Sequence, residues 1–250
     1  MISQIWNLVL YQPLLNALAF LVSVVPGGDI GIAVILLTIL VKLVLFPLSQ
    51  RQIRNQAAMI ILTPELEKIK KSGVSKEEQA KQTFELYKKH KTNPFSGCLV
   101  IIPTLLVIIA LYSVFIKGIN FDSKLLYSFI HAPENINMLF LGIVNLSKAS
   151  LVLALLAGVS QYFQAYFMPK PPIPSPSSIP ADSFQANFSK SMNMQMKYIF
   201  PFIIAFIAYR YLGVVALYLI TNNIFTIGQQ IYVNKTEKKT LTAEAKVLNS

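Results

Sequence analysis

The chain has 250 residues, of which 54% are hydrophobic and only 13% are charged, and its formal net charge is +11. A soluble domain carries about 25% charged residues, so these figures exclude an ordinary soluble protein. Long apolar runs alternate with charged blocks, a pattern typical of a helical membrane protein with several spans. Basic loops fix the orientation of such proteins, and we prefer this reason for the positive charge to specific nucleic-acid binding.

The N-terminal region, residues 1–29, contains one apolar segment at 13–25. As a helix, this segment is too short to cross a hydrocarbon core of about 30 Å. Three polar side chains fall on one side of it: Gln12, Asn16 and Ser23. The pattern predicts an interfacial amphipathic helix, and a kinked span that begins near Ile5 is the alternative.

Five further segments are predicted to be transmembrane helices. They are 30–48, 99–116, 151–168, 198–209 and 212–233. The fourth is short, and a break at 210–211 predicts a tight hairpin between the last two. None of the five contains Asp, Glu or His, so a hydrolytic site within the membrane has neither a base nor a metal ligand. We therefore expect no enzyme activity, no metal and no cofactor.

The charged segments set the predicted orientation. Residues 49–98 are polar and basic, and they contain two helix-start signals, Thr63 before a proline and Ser75 three residues before Glu78. A helical hairpin is predicted there, and its basic excess places it in the cytoplasm. Five spans then put the N-terminus outside the cell membrane and the basic tail, 234–250, inside.

Two other connections are predicted to lie outside the membrane. Residues 117–150 form an extracytoplasmic loop whose apolar part, 136–146, lies at the outer interface, and a re-entrant helix is the alternative for that part. Residues 169–197 carry a run of prolines and serines that prevents a packed helix, so this segment is predicted to be a cytoplasmic loop.

One lysine stands in an otherwise apolar span. Lys42 follows Thr38 by one helical turn, so the two residues define a polar stripe. A charge near the centre of a span costs about 2.5–3.5 kcal/mol, and such residues usually face a cavity or a partner. The other spans have polar residues too: Thr104; Ser160, Gln161 and Gln164; Tyr218, Asn222, Thr226 and Gln229. We interpret the stripes as a shared hydrophilic groove, with interhelical hydrogen bonds and a snorkelling lysine as the alternative.

Several fragments in order make this sequence resemble a known family. They include "LYQPLLNAL", "IGIAVILLTILVKLVLFPLSQRQ", "LTPELEKIK", "LLAGVSQYFQ" and "MKYIFPFIIAFIAYRYLGVVALYLITNNIFTIGQQ". The chain resembles the YidC family of membrane protein insertases, which has mitochondrial and chloroplast relatives. The resemblance covers most of the chain and implies an all-α membrane protein, with five transmembrane helices around a hydrophilic groove that opens to the cytosol and to lipid.

The resemblance also assigns groove positions to particular residues. Lys42 matches a positive residue that is usually arginine, and Thr38 matches the threonine one turn before it. Gln161 matches a glutamine of the third core span, and Asn223 matches an asparagine of the last. Lysine keeps the charge of arginine but loses its two parallel donors, and Leu219 stands where the family usually has an aromatic residue.

The implied function is that of a membrane protein insertase or chaperone that uses a positively charged groove. The predicted groove residues are Lys42, Thr38, Thr104, Gln161, Gln164, Tyr218, Asn222 and Asn223. The implied partners are nascent membrane proteins, the lipid bilayer, the Sec translocon and the ribosome. A small-solute transporter or channel that uses the same groove is the alternative function.

Overall fold

The computed structural model describes residues 2–90, 101–116, 121, 125–168 and 198–248, in some helical stretches for the backbone alone. The chain divides into two compact units. The first unit comprises Met1–Phe46, Ile101–Tyr162 and Pro201–Thr226, and the second comprises Pro47–Val100, Phe163–Phe200 and Ile227–Ser250. The predicted proline-rich loop at 169–197 lies outside the described residues.

The described chain is mostly helical, as predicted for an all-α membrane protein. The helices are α1 (Ile2–Trp6), α2 (Gln12–Val24), α3 (Ile30–Val44), α4 (Phe46–Ile61), α5 (Thr63–Lys71), α6 (Lys76–Lys89), α7 (Ile101–Ile116), α8 (Leu151–Phe167), α9 (Phe200–Arg210) and α10 (Gly213–Leu248). Two short strands, β1 (Leu139–Phe140) and β2 (Val144–Asn145), pair antiparallel.

The N-terminal helix begins earlier than the predicted amphipathic helix. A π-helical stretch, Asn7–Tyr11, joins α1 to α2, so that Gln4–Val24 is a helix of 21 residues, long and apolar enough to cross a membrane. Pro13 lacks an amide hydrogen, and its ring crowds the carbonyl one turn before it. The wider π turns directly before Pro13 accommodate that ring without ending the helix. The helix therefore starts near Ile5, as in the alternative, but its length fits an interfacial helix as well as a span.

The predicted span 30–48 ends early, at Val44. Pro47 has no amide to donate to the carbonyl of Leu43, so the α-helical ladder is interrupted there and a new helix starts at Phe46. Helix α3 alone is too short for a span. It reaches that length only when the helical segment Phe46–Ile53, which is bent relative to it, is counted with it. The remaining apolar helices are shorter, with 10–17 residues each: Leu105–Val114, Leu151–Phe167 and Phe200–Arg210.

Small residues occupy many buried positions in the first unit. Its core contains the alanines Ala19, Ala33, Ala110, Ala154, Ala157, Ala208 and Ala216. At Gly158 of α8, a Cβ atom would lie 2.9 Å from the Cβ atom of Ala205 in α9. Close approach through small side chains is how helices pack where lipid removes the hydrophobic driving force. This unit therefore packs as membrane helices do.

The loop predicted to be extracytoplasmic, 117–150 (the outer loop below), is anchored to the start of α3 by Asp29, which is 6% exposed. Its Oδ1 atom accepts hydrogen bonds from the amides of Gly31 at 2.8 Å and Ile32 at 3.2 Å, which caps the helix. Its Oδ2 atom accepts from the amide of Leu141 at 2.8 Å, in the turn between β1 and β2. The apolar stretch 136–146 thus contains a β-hairpin, and the alternative of a re-entrant helix is wrong.

Asn16 is buried rather than on the polar side of an interfacial helix, because only 1% of it is exposed. Its Nδ2 atom donates to the carbonyl of Leu125 at 3.0 Å, and its Oδ1 atom accepts from the amide of Tyr127 at 2.7 Å. Buried polar groups need such partners. Asn16 therefore ties the outer loop to α2, which corrects the role that its sequence position suggested.

The predicted helical hairpin forms in the second unit. Helices α5 and α6 pack through a small apolar cluster of Leu62, Leu66 and Leu86. The hydroxyl of Ser75 accepts from the amide of Glu78 at 3.3 Å, which confirms the predicted cap of α6. The predicted cap at Thr63 is wrong, because α5 already includes Thr63 and no side chain caps its start; α4 ends only two residues earlier.

The last helix is longer than predicted. The break between α9 and α10 falls at residues 211–212, close to the predicted position, but α10 continues to Leu248 instead of ending at 233. The basic tail is therefore helical up to that residue. At 1.5 Å per residue, the 36 residues of α10 extend over about 54 Å.

Candidate functional site

The ammonium group of Lys42 faces α10 within the first unit. Its Nζ atom donates a hydrogen bond to Thr226 Oγ1 at 3.0 Å. The Thr226 hydroxyl in turn donates to the carbonyl oxygen of Asn222 at 2.7 Å. The lysine is partly buried, whereas Leu40 and Leu43 beside it on α3 are exposed. The charge is thus directed toward a neighbouring helix and away from the apolar outer face of α3.

A small cavity lies beside this ammonium group. Its volume is about 20 Å³, and its lining residues are Thr38, Val41, Lys42, Leu45, Val107, Tyr218 and Asn222. A water molecule requires roughly 10–15 Å³ of such space and two to four polar partners. The cavity therefore has room for one water molecule, and four of its lining side chains have polar atoms.

Thr38 and Tyr218 are predicted groove residues that line the cavity. Thr38 is 2% exposed, and its hydroxyl donates to the carbonyl of Val34 at 2.7 Å. That bond satisfies the hydroxyl inside its own helix and leaves its oxygen lone pairs free to accept. Tyr218 is 4% exposed and also borders an apolar pocket with Ile108 and Leu111.

A chain of buried amides continues from the cavity into α8. Asn222 Nδ2 donates to Asn223 Oδ1 at 3.4 Å, and Asn223 Nδ2 donates to Ser160 Oγ at 3.0 Å. The hydroxyl of Ser160 ends the chain by donating to the carbonyl of Ala157 at 2.9 Å. Among the described atoms, Asn222 Oδ1 has no hydrogen-bond partner although it is buried. An unpaired buried acceptor next to a water-sized cavity indicates a site for water.

Two other predicted groove residues, Gln161 and Gln164, are not among the residues that line this cavity. Gln161 is partly buried but does not line it. Gln164 belongs to the second unit, as does Gln229, which donates to Ser49 Oγ at 2.6 Å. Thr104 lies in α7, but its side chain is not among those described. The cavity accordingly joins Lys42, Thr38, Tyr218 and Asn222 of the predicted set, with Asn223 one contact away.

Sequence reasoning missed how Lys42 is held. It placed Thr226 in a polar stripe with Tyr218 and Asn222, and the period of that stripe was the available signal. The partner of Lys42 lies 184 positions away along the chain, so only the folded structure could identify that pair.

Among the described side chains, no carboxylate forms an ion pair with Lys42, and no group of three His, Cys, Asp or Glu residues there is arranged to hold a metal.

Comparison with known proteins gives the family. A family model described as 60Kd inner membrane protein matches residues 20–240. Proteins named membrane protein insertase YidC are similar: that of Clostridium tetani is 31% identical over 86% of this chain and 86% of its own length. That of Fusobacterium nucleatum is 31% identical over 90% of this chain and 97% of its own. The one from Methylobacillus flagellatus is 33% identical over 94% of this chain, which spans 37% of that longer relative.

The family model and the two relatives of similar length agree with the motif resemblance over most of the chain. This chain therefore belongs to the 60Kd inner membrane protein family, the family of the YidC membrane protein insertases.

Proposed function

We propose that this protein is a membrane protein insertase in which Lys42 attracts acidic residues of short nascent segments into a hydrated groove. The observation that supports this mechanism most is the position of the ammonium group. It sits in an apolar helix, hydrogen-bonded to a hydroxyl rather than to a carboxylate, next to a cavity with room for water. A cation in such a place, with no carboxylate partner among the described side chains, is a site for an anionic group.

Magnitudes favour a carboxylate as the visiting group. A charge near the centre of a span costs about 2.5–3.5 kcal/mol on insertion scales. An ammonium and a carboxylate about 4 Å apart attract by about 4 kcal/mol at the effective dielectric constant of roughly 20 that describes protein sites. One contact with Lys42 therefore offsets part of the cost of bringing one acidic residue into the groove.

The groove opens when it admits a substrate. The cavity of about 20 Å³ matches one water molecule, so an amino-acid side chain enters only when α3 and α10 separate. Helix α9, with 11 residues, is only about 17 Å long. A short helix thins the bilayer locally, which shortens the hydrophobic crossing for the substrate. The apolar helix of the substrate, of about 20 residues, then moves into lipid, and its burial supplies the free energy.

The proposal also includes the number of spans, their orientation in the membrane and the partners of the protein. Five spans surround the groove, the N-terminus lies outside, and the hairpin of α5 and α6 and the end of α10 lie in the cytoplasm. The basic composition of both regions supports this orientation, and so does the length of α10, which exceeds a hydrocarbon core of about 30 Å. The hairpin receives the nascent chain, and the Sec translocon and the ribosome are the proposed partners.

The alternative function, a small-solute transporter or channel, has no support. The relatives reported above are named membrane protein insertases, not transporters.

Site-directed photocrosslinking during translation tests the groove. A crosslinking amino acid at Val41 or Leu45, which line the cavity, is expected to react with a nascent single-span substrate that has an acidic translocated end. The matched controls are Leu36 and Leu40, which are exposed on the same helix and are expected to react with lipid. Equal crosslinking of the substrate from both pairs, or from neither during active insertion, would refute the groove.

A further inference from the structure

The hydroxyl of Thr226 has a fixed direction. A hydroxyl group has one hydrogen to donate and two lone pairs that accept. The Thr226 hydrogen is used at the carbonyl of Asn222, at 2.7 Å. Only the lone pairs therefore point to Lys42 Nζ, at 3.0 Å. Thr226 is thus a dedicated acceptor for the ammonium group.

A second threonine in the same helix shows what is particular to Thr226. The hydroxyl of Thr221 donates to the carbonyl of Leu217 at 2.9 Å, the same bond to the preceding turn that Thr226 makes. Among the described residues, Thr221 has no side-chain hydrogen bond to another helix. The two threonines therefore share their local geometry and differ in the contact with Lys42.

Asn222 supplies a second acceptor on the same cavity. It is 4% exposed, and its Oδ1 atom is the buried side-chain acceptor without a partner among the described atoms. Asn222, Lys42, Thr38 and Tyr218 all line the space of about 20 Å³. A single water molecule in this space would accept a hydrogen bond from the ammonium group, which has three donors, and would donate one to Asn222 Oδ1.

The acceptors on α10 restrict the movement of the Lys42 side chain. The flexible stem of a lysine in a membrane helix normally carries the charge toward the nearest interface, and Lys42 lies in the last turn of α3. Two acceptors on α10 oppose that movement. A lysine depends on them more than an arginine does, because it is a point charge without a rigid fork of donors.

We propose that Thr226 is a positioning residue for Lys42: its hydroxyl, together with one water molecule held by Asn222, fixes the ammonium group in the groove and prevents it from snorkelling to the interface. This inference rests on the proposed function for its purpose, since the fixed charge is the one that acidic substrates meet. The position of the amine itself is measurable without any insertion.

The experiment compares Thr226→Val, which keeps the shape but removes the hydroxyl, with Thr226→Ser, which keeps the hydroxyl. Thr221→Val is the matched control. Each variant in proteoliposomes receives a water-soluble amine-reactive acetylating reagent on both sides of the membrane, and mass spectrometry measures the acetylated fraction at Lys42 relative to the exposed Lys88. A severalfold rise is expected for Thr226→Val, with wild-type values for Thr226→Ser and Thr221→Val.

The same vesicles report the insertion rates of matched substrates with an acidic or a neutral translocated end. Thr226→Val is expected to lose most of the preference for the acidic substrate. Wild-type labelling in Thr226→Val, or an equal rise in Thr221→Val, overturns the positioning role. Labelling that rises while the acid preference stays unchanged supports the positioning of Lys42 and refutes instead the proposed role of its charge in insertion.

Discussion

Replacement of Lys42 by methionine tests the central charge, because methionine keeps an unbranched apolar stem of similar size. The attraction of about 4 kcal/mol at 4 Å is an upper figure, since Lys42 is only partly buried and water screens it. We expect about 1–2 kcal/mol per acidic residue, which corresponds to roughly 5–30-fold in insertion rate. Lys42→Arg keeps the charge and is expected to retain most of the rate.

The assay uses purified protein in liposomes and three forms of one single-span substrate, with zero, one or two acidic residues in the translocated end. The wild-type rate is expected to rise with each acid, and the Lys42→Met rate is expected to depend little on them. The neutral substrate is the internal control, since it should insert similarly with both proteins. If the acid dependence were the same for wild type and Lys42→Met, the electrostatic reasoning would be refuted.

Three further substitutions test contacts that hold α2, α3 and α8 in place. Asp29→Ala leaves three backbone amides, one buried and two partly buried, without their acceptor and should cost about 2–4 kcal/mol of unfolding free energy in detergent. Asn16→Leu breaks the contacts with the outer loop and should cost about 1–3 kcal/mol in the same assay and speed proteolysis at residues 125–130. Gly158→Val should lower the melting temperature, because a Cβ atom already comes within 2.9 Å of Ala205.

Conservative changes at the same positions serve as controls for these three. Asp29→Asn retains an acceptor for the helix start and should lose less stability than Asp29→Ala. Asn16→Asp keeps the oxygen that accepts from Tyr127 and should lose less than Asn16→Leu. A melting temperature of Gly158→Val equal to that of a Gly228→Val control would contradict the close packing of α8 and α9, since a Cβ atom at Gly228 meets nothing within 4 Å.

The sequence predicted the helical class, the hairpin in the second unit and the polar faces, because each of these depends on local periodicity or capping. The Ser75 cap is an example, since donor and acceptor lie three residues apart. Boundaries were less predictable, because they depend on competing local effects. Pro47 ended α3 earlier than hydropathy suggested. The N-terminal helix, by contrast, did not begin near Pro13, since π turns join α1 to α2.

The partners of buried polar residues were not predictable in the same way. Asn16 and Asp29 both looked like ordinary polar residues at the edges of apolar segments. Each instead accepts an amide hydrogen from the outer loop, more than a hundred positions away. A one-dimensional pattern indicates that a residue is polar and where its helix face points, but it contains no information on which backbone group arrives there.

The site combines a fixed charge with very little open space, and this combination bears on how an insertase avoids leaking ions. A permanently open groove beside Lys42 would be wide enough for hydrated ions. The cavity of about 20 Å³ instead has room for one water molecule, and the buried residues Asn222 and Tyr218 form part of its wall.

On the proposed mechanism, the hydrogen bond to Thr226 maintains this closed state, and a substrate carboxylate opens it by replacing the hydroxyl as the partner of the ammonium group. A carboxylate is the stronger acceptor, because charge-assisted hydrogen bonds are roughly twice as strong as neutral ones. On this mechanism, the groove opens when a carboxylate of the substrate reaches Lys42.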